Sequence, residues 1–396
     1  KKQRKTGGKY MKVYFAPNGV ALGHAGRCMP IARKLVNLGN KVVFSTYGDA
    51  YGFIKAAGFP VIKVPEIKFE ETPDGTVAML ETAIKWPKHI LTFLKQLKKE
   101  IRNMKSLSPN VIVSDSRLSP ILASYLLGIP SILLLHQLRL LIPHRKKLTP
   151  FQYKLKRFGE LIIMHDMSIY WNRANSILIP DFPPPYSIAK ENLNVPRRLY
   201  KRIEFIGQVI EKRPEELPEK EEIRKELGFD DRPLIYAGIA GTLFEKMEFI
   251  KLLNNAFAKF PKKYQIVITR GLPKKDQIDI PIYSTDNMKV YDWVSDRYKF
   301  IKAADIVVSR AGHNTISECL YYGKPMILIP TPAHTEHQGN ARSAENMGIA
   351  IVIQQKDLNH NILLNAVNEI LNNNAVLKKV RKVQKAIIKL NAIEAV

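Results

Sequence analysis

From Lys12 onward, short apolar runs alternate with longer stretches whose apolar positions recur at helical spacing. "KVYFAP" (12–17), "KVVFST" (41–46), "PVIKVP" (60–65), "NVIVSD" (110–115) and "SILLLH" (131–136) read as strands. "AGRCMPIARKLVNLG" (25–39, ended by Gly39), "AYGFIKAAG" (50–58) and "LSPILASYLLG" (118–128) read as the helices between them. Strands alternating with helices predict βαβ units and a parallel sheet. The proline cluster in "PDFPPPYSIAKENLNVPRR" (180–198) cannot sit inside a sheet and interrupts the series. A second series then opens at "RIEFIG" (202–207) and continues through "PLIYAG" (233–238), a helix over 245–260, "YQIVITR" (264–270), "MKVYDWV" (288–294), "DIVVSR" (305–310) and "MILIPTP" (326–332).

The expected architecture is therefore α/β, with two Rossmann-like, doubly wound parallel-sheet domains facing each other across a cleft. Their bounds are 11–195 and 196–372, preceded by a basic extension at 1–10. A final basic amphipathic helix within 373–396, "VLKKVRKVQKAIIKL", reads as a packing helix that returns to the N-terminal domain with a solvated face. Ligands of such sheets bind at loops leaving the carboxyl ends of the strands, which places the site in the cleft.

Charge adds one qualification. The chain of 396 residues has 62 Lys+Arg against 36 Asp+Glu, a formal +26, which favours acidic substrates, polyanions or an anionic membrane face without bearing on fold. Richness in Lys, Ile and Glu also fits a hyperthermophile background. The two cysteines, Cys28 and Cys319, lie in separate predicted helices and form no zinc-type spacing, so a reducing cytoplasm is expected. No apolar run reaches the roughly 18 residues needed to span a bilayer.

Three glycine-bearing turns follow strands. The first, "APNGVALGHAGR" (16–27), combines Gly23 and Gly26 with His24, an imidazole suited to general-base work once a partner fixes its tautomer. Asp115, closing another strand, is that candidate partner, although its position also suits a helix cap. The spacing is not GxGxxG and no acidic residue ends the next strand, which disfavours a dinucleotide site. The second turn, "YAGIAGTLFEK" (236–246), contains Gly241 and Thr242; the third, "SRAGHNT" (309–315), leads into a helix ending at "GKP". Each reads as an anion cradle at a helix N-terminus, and two in one half suggest a diphosphate. No Asp-x-Asp occurs, and "AHTEHQ" (333–338) reads as a loop outside any HExxH frame, so no metal is expected.

The stretch from "YDWVSDRYKF" to "HTEHQGNA" (291–341) resembles the donor-binding signature of inverting GT-B glycosyltransferases, a group that includes family 28 enzymes acting on lipid-linked muramyl pentapeptide and the macrolide and plant UDP-glycosyltransferases. "GHAGR" and "SPILASYLLGIPSILLLHQ" are similar to that family's acceptor-domain segments. The resemblance implies a GT-B fold and a UDP-sugar donor, with N-acetylglucosamine preferred. It implies that main-chain groups of Trp293 and Val294 border the base and that Glu318 meets the ribose. Arg310, Ala311, Gly312, His313, Asn314 and Thr315, with Gly241 and Thr242, would hold the diphosphate. Glu336, His337 and Gln338 would meet the sugar, the single residue between Gln338 and Asn340 leaving open which contacts which hydroxyl. Retaining relatives carry Glu eight residues before the position of Glu318; Arg310 stands there, which implies inversion, with His24 as base.

Two basic amphipathic stretches, 84–105 and 139–163, the latter with Arg139, Arg145, Lys146, Lys147, Lys154, Lys156 and Arg157, suit either an anionic bilayer, and hence a lipid-linked acceptor at the inner membrane face, or the solvated helix faces of a Lys-rich protein. The rival readings are a UDP-sugar 2-epimerase of the same fold and a non-catalytic nucleic-acid-binding protein. The first lacks the Ser-Gly-Gly run at 309–311; the second lacks any RNA- or DNA-binding signature, and no nucleic-acid partner is expected.

Overall fold

The structure, a computed structural model, describes residues 10–20, 22–66, 86–139, 141, 149–193, 195–272, 279–332 and 334–396. Nearly all of the basic extension, and Arg145, Lys146 and Lys147, lie outside those residues.

Two seven-stranded sheets form the scaffold. The first comprises β1 (Lys12–Pro17), β2 (Lys41–Thr46), β3 (Val61–Lys63), β4 (Val111–Asp115), β5 (Ser131–Leu134), β6 (Ser176–Ile179) and β7 (Ile203–Phe205), in the order β3-β2-β1-β4-β5-β6-β7. Every pairing in it is parallel. The second comprises β8 (Leu234–Gly238), β9 (Gln265–Thr269), β10 (Pro281–Ser284), β11 (Met288–Tyr291), β12 (Ile306–Ser309), β13 (Met326–Leu328) and β14 (Ala350–Val352), in the order β10-β11-β9-β8-β12-β13-β14. Only the β10 edge pairs antiparallel. Parallel strands covered on both faces read as continuous apolar runs, as the fully buried β9 and β12 do.

The strand order reverses between β1 and β4 in one sheet and between β8 and β12 in the other. These switch points open crevices at the carboxyl ends. The loop leading into the helix that bears His24, and the residue Asp115, leave one; the 238–242 and 310–315 turns leave the other. Asp115 lies in register opposite Pro17.

Three expectations change. The run "RIEFIG", read as opening the second half, supplies β7 and closes the first sheet by pairing with β6. The proline cluster is the connection between β6 and β7, not the boundary between the sheets. "AHTEHQ" is not a loop: helix Thr335–Asn346 starts within it, with His334 as N-cap. The C-terminal helix, Asn374–Ile387, packs on the second half, where Val380, Val383 and Ile387 join its core. Only the last stretch crosses over, burying Ala392 in the core around β1.

Candidate active site

Helix Gly23–Asn37 begins beside the β4 end and presents His24 and Arg27, one turn apart, on the same face. Both reach Asp115. His24 Nδ1 lies 2.8 Å from Oδ1, Arg27 donates from Nε to Oδ2 and from Nη2 to Oδ1 at 2.8 Å each, and the Ser116 hydroxyl donates to Oδ1 at 3.1 Å. Asp115 is fully buried. Burial alone would raise its carboxyl, but the Arg27 and His24 partners outweigh that and hold it well below the usual carboxylate range. An ionised Asp115 makes Nδ1 the protonated nitrogen of His24 and leaves its Nε2 lone pair available. His24 retains partial exposure, with 21% of its side chain accessible. Gly19 permits the turn before it, because a Cβ there would meet Tyr47 O at 2.2 Å.

The facing loop belongs to the second sheet. Ala311, with φ 62°, turns the chain after β12, and Gly312 caps helix His313–Tyr321 without any side-chain hydrogen bond. The first N–H groups of that helix therefore have no side-chain acceptor, and a Cβ on Gly312 would meet nothing within 4 Å. Asn314 accepts from Gln208 Nε2 at 2.8 Å, and its Nδ2 stands 4.0 Å from a Cβ built on Gly23. The two glycine turns thus oppose each other directly across the cleft. Gly26, one turn further along its helix, has open space at the same test.

His313 is buried. Its Nε2 lies 3.3 Å from Asp181 Oδ1, off the hydrogen-bond direction, and Nδ1 has no partner. Asp181 is itself fully buried and accepts from Ser187 Oγ and from the backbone of Phe182, Ile188 and Ala189. Against the penalty of burial, His313 and these donors keep its carboxyl below its ordinary value. His136, beyond the end of β5, stands between the two histidines, its ring 5.8 Å from that of His24 and 5.5 Å from that of His313. Burial, with Arg27, His313 and His24 nearby, holds it well below its usual value and therefore neutral.

The remaining expected donor residues divide into two groups. Glu318 is buried and receives Arg297 Nη2 at 2.5 Å and Nε at 3.2 Å. Trp293 is half-buried with its carbonyl accepting from Asp279 N at 3.1 Å, while Val294 belongs to the core. Glu336 faces the N-terminal half, accepting from Gln137 Nε2 at 2.7 Å with His136 Nε2 at 3.8 Å. His337 Nδ1 meets Thr331 Oγ1 at 3.0 Å, and Gln338 Nε2 donates to Thr331 O at 3.3 Å.

Two expected diphosphate contacts are engaged elsewhere. Thr242 caps helix Leu243–Phe257, its hydroxyl and N–H both on Glu245 Oε2 at 3.1 and 2.9 Å. Gly241 beside it has φ 120°, and a Cβ there would lie 2.7 Å from the same oxygen. Arg310 stacks over Phe249 at 4.1 Å and donates to Gln355, with burial lowering its guanidinium to about 10.

Among the described residues, one group, Glu245, His334 and His337, brings metal-ligating atoms within 4.8 Å of one another. Its imidazoles are stacked, 3.8 Å apart at 9°. Lone pairs in two parallel ring planes do not converge on an ion at about 2.1 Å. His334 Nδ1 already accepts from His337 N at 3.3 Å.

Sequence reasoning singled out neither His136 nor Asp181. His136 ends an apolar strand with no motif spacing around it, and Asp181 is masked by the prolines that surround it.

Comparison with known proteins fits this geometry. Residues 244–395 match the glycosyltransferase family 28 C-terminal domain. An uncharacterized glycosyltransferase of Methanosarcina mazei is 26% identical over 98% of this chain and 97% of its own length. The UDP-N-acetylglucosamine--N-acetylmuramyl-(pentapeptide) pyrophosphoryl-undecaprenol N-acetylglucosamine transferase of Thermoanaerobacter is 32% identical over 45% of this chain and half of its own. Among solved structures, the calicheamicin glycosyltransferase CalG4 superposes with a TM-score of 0.65 at 16% identity, covering 98% of this chain and 96% of its own. Acinetobacter baumannii MurG does so at 0.60 and 16%, covering 98% of each. The chain is a glycosyltransferase of the GT-B class. Its C-terminal half carries the family 28 domain.

Proposed function

We propose that this glycosyltransferase is inverting and metal-independent, and that it moves a sugar, N-acetylglucosamine by preference, from a UDP-sugar to a hydroxyl of a lipid-linked acceptor at the cytoplasmic membrane face. The observation that carries the reading is the His24–Asp115 pair standing opposite the uncapped N-terminus of helix His313–Tyr321. His24 Nε2 takes the acceptor hydroxyl proton as that oxygen bonds to the anomeric carbon. The bond from that carbon to the diphosphate breaks with its electron pair, and UDP departs onto the helix N–H groups, with the Asp181-paired His313 beside them. These donors take the place of a cation. The test is turnover against a panel of UDP-sugars with the anomer of the product read by NMR; retention of configuration would overturn the mechanism. The UDP-N-acetylglucosamine in the name of the Thermoanaerobacter relative supports the donor preference.

Glu318→Gln removes the carboxylate assigned to the ribose. Its KM for donor is expected to rise about tenfold, with kcat changed less, since a charged hydrogen bond contributes about 1.5 kcal/mol or more.

The membrane reading draws on three neighbouring helices of the first half: Trp86–Leu107, Leu118–Leu127 and Pro150–Trp171. They expose Leu91, Leu94, Leu126, Phe151, Leu155 and Phe158 beside Lys88, Lys95, Lys98, Lys154 and Arg157. Among the described residues no helix is long and apolar enough to cross a membrane. Apolar side chains rimmed by cations suit a headgroup boundary. Sedimentation with anionic vesicles is expected to carry the protein down at low salt and to lose it at high salt or in Phe158→Glu; equal binding to neutral vesicles would overturn the reading.

A further inference from the structure

The two oxygens of Glu318, the carboxylate assigned to the ribose, are not equally free. Oε1 faces Arg297 Nη2 at 2.5 Å and the Tyr298 hydroxyl at 3.4 Å, whereas Oε2 faces only Arg297 Nε, at 3.2 Å. A carboxylate offers about four lone-pair sites, two on each oxygen. Among the described residues, both sites on Oε1 therefore have a donor, and one site on Oε2 is open.

Two side chains hold the carboxylate in this state. Arg297 Nε and Nη2 form the fork of a bidentate pair, which fixes the plane of the carboxylate as well as balancing its charge. The Tyr298 hydroxyl accepts from Glu211 N at 3.3 Å and from Arg297 Nη2 at 3.2 Å, which leaves its own proton for Glu318. Tyr298 is held in turn by stacking on Tyr322, with ring centroids 5.9 Å apart at 17°, and by the Arg297 guanidinium 4.7 Å over its ring. The Glu318 side chain is 4% exposed, so water has little access to replace either donor, while half of the Arg297 side chain is accessible.

Position ties the lock to the nucleotide. Glu318 belongs to the helix whose N-terminus is assigned to the diphosphate, and Arg297 opens helix Arg297–Ala303, which follows closely on the Trp293–Val294 segment assigned to the base. We infer that Arg297 is a positioning residue for the nucleotide: it locks Glu318 so that a single acceptor site, on Oε2, meets one of the two ribose hydroxyls, and the enzyme reads that hydroxyl and not the other. A carboxylate free to rotate would accept from both hydroxyls of the diol. The inference rests on the transferase reading above.

Calorimetric titration of the full chain with UDP, 2′-deoxy-UDP and 3′-deoxy-UDP tests it. In the wild type one deoxy analogue is expected to bind at least about tenfold more weakly than UDP, the loss of a hydrogen bond to a buried charge, and the other within about threefold of UDP. In Arg297→Met the ratio between the two analogues should fall toward one, and Arg297→Lys should not restore it, because an ammonium keeps the charge without the fork. Thermal unfolding reads stability separately; a purely structural arginine would lower stability and leave the ratio as it was. Losses of similar size for both analogues in the wild type overturn the inference, as does a wild-type ratio in either variant. The wild-type comparison decides the single-hydroxyl reading even where a variant does not fold. Equal binding of all three nucleotides would take Glu318 off the ribose and the inference with it, whereas failure of the wild type to bind UDP would overturn the transferase reading instead.

Discussion

Replacing His24 by alanine is expected to cut sugar transfer by about 10²- to 10⁴-fold while leaving UDP affinity, measured by calorimetry, unchanged. The split follows from where His24 stands. It belongs to the first half and takes its orientation from Asp115, whereas the groups assigned to the nucleotide belong to the second half. A structural histidine would show a different signature, with falling stability and little change in turnover per folded molecule. Asp115→Asn provides the companion measurement, because it keeps the shape but lets the imidazole adopt either tautomer. Turnover should fall there too, with UDP affinity again unchanged. Wild-type turnover in His24→Ala would remove the assigned base.

Much of this site could be read from strand ends. His24, Asp115 and the two diphosphate turns lie where predicted strands stop, and the reversal of strand order in each sheet places four strand ends at two facing crevices. What the chain could not disclose is partnership between distant segments. Glu318 was placed on its helix by pattern, yet its companion Arg297 belongs to another helix, and the pair exists only because the two helices meet around Tyr298. Arg310 looked like a phosphate contact because it precedes the glycine turn; its side chain lies on Phe249 and Gln355, a direction set by packing. Thr242 illustrates a competition visible in "GTLFE", since Thr followed three residues later by Glu is a capping box and uses the hydroxyl expected to face a phosphate. Asp181 falls in the proline cluster that interrupts the strand series, and that segment, folded over the carboxylate, supplies it with backbone donors that no periodicity reveals.

Arg27→Met is expected to destabilise the fold by about 3–5 kcal/mol, the usual result of removing one member of a buried ion pair. Arg27 is 4% exposed and Asp115 0%, so methionine fills the space of the side-chain stem but leaves the carboxylate with His24, Ser116 and the weak Cys28 thiol as its remaining side-chain donors. Two consequences distinguish this from a simple packing defect. The first concerns pH. The folded-state carboxyl of Asp115 is depressed, so its stabilising contribution is fully present above the unfolded carboxylate value of about 3.9 and is lost as the pH falls toward the folded one. The stability gap between wild type and Arg27→Met, read by chemical denaturation, should therefore be widest above about pH 4 and shrink below it. The second concerns His24. Without the guanidinium, Asp115 loses the two hydrogen bonds that fix its carboxylate, so the His24 ring is held less firmly and turnover per folded molecule should fall. A gap that does not vary with pH would mean that Arg27 acts through shape alone. In that case the charge balance around Asp115 would contribute nothing to stability.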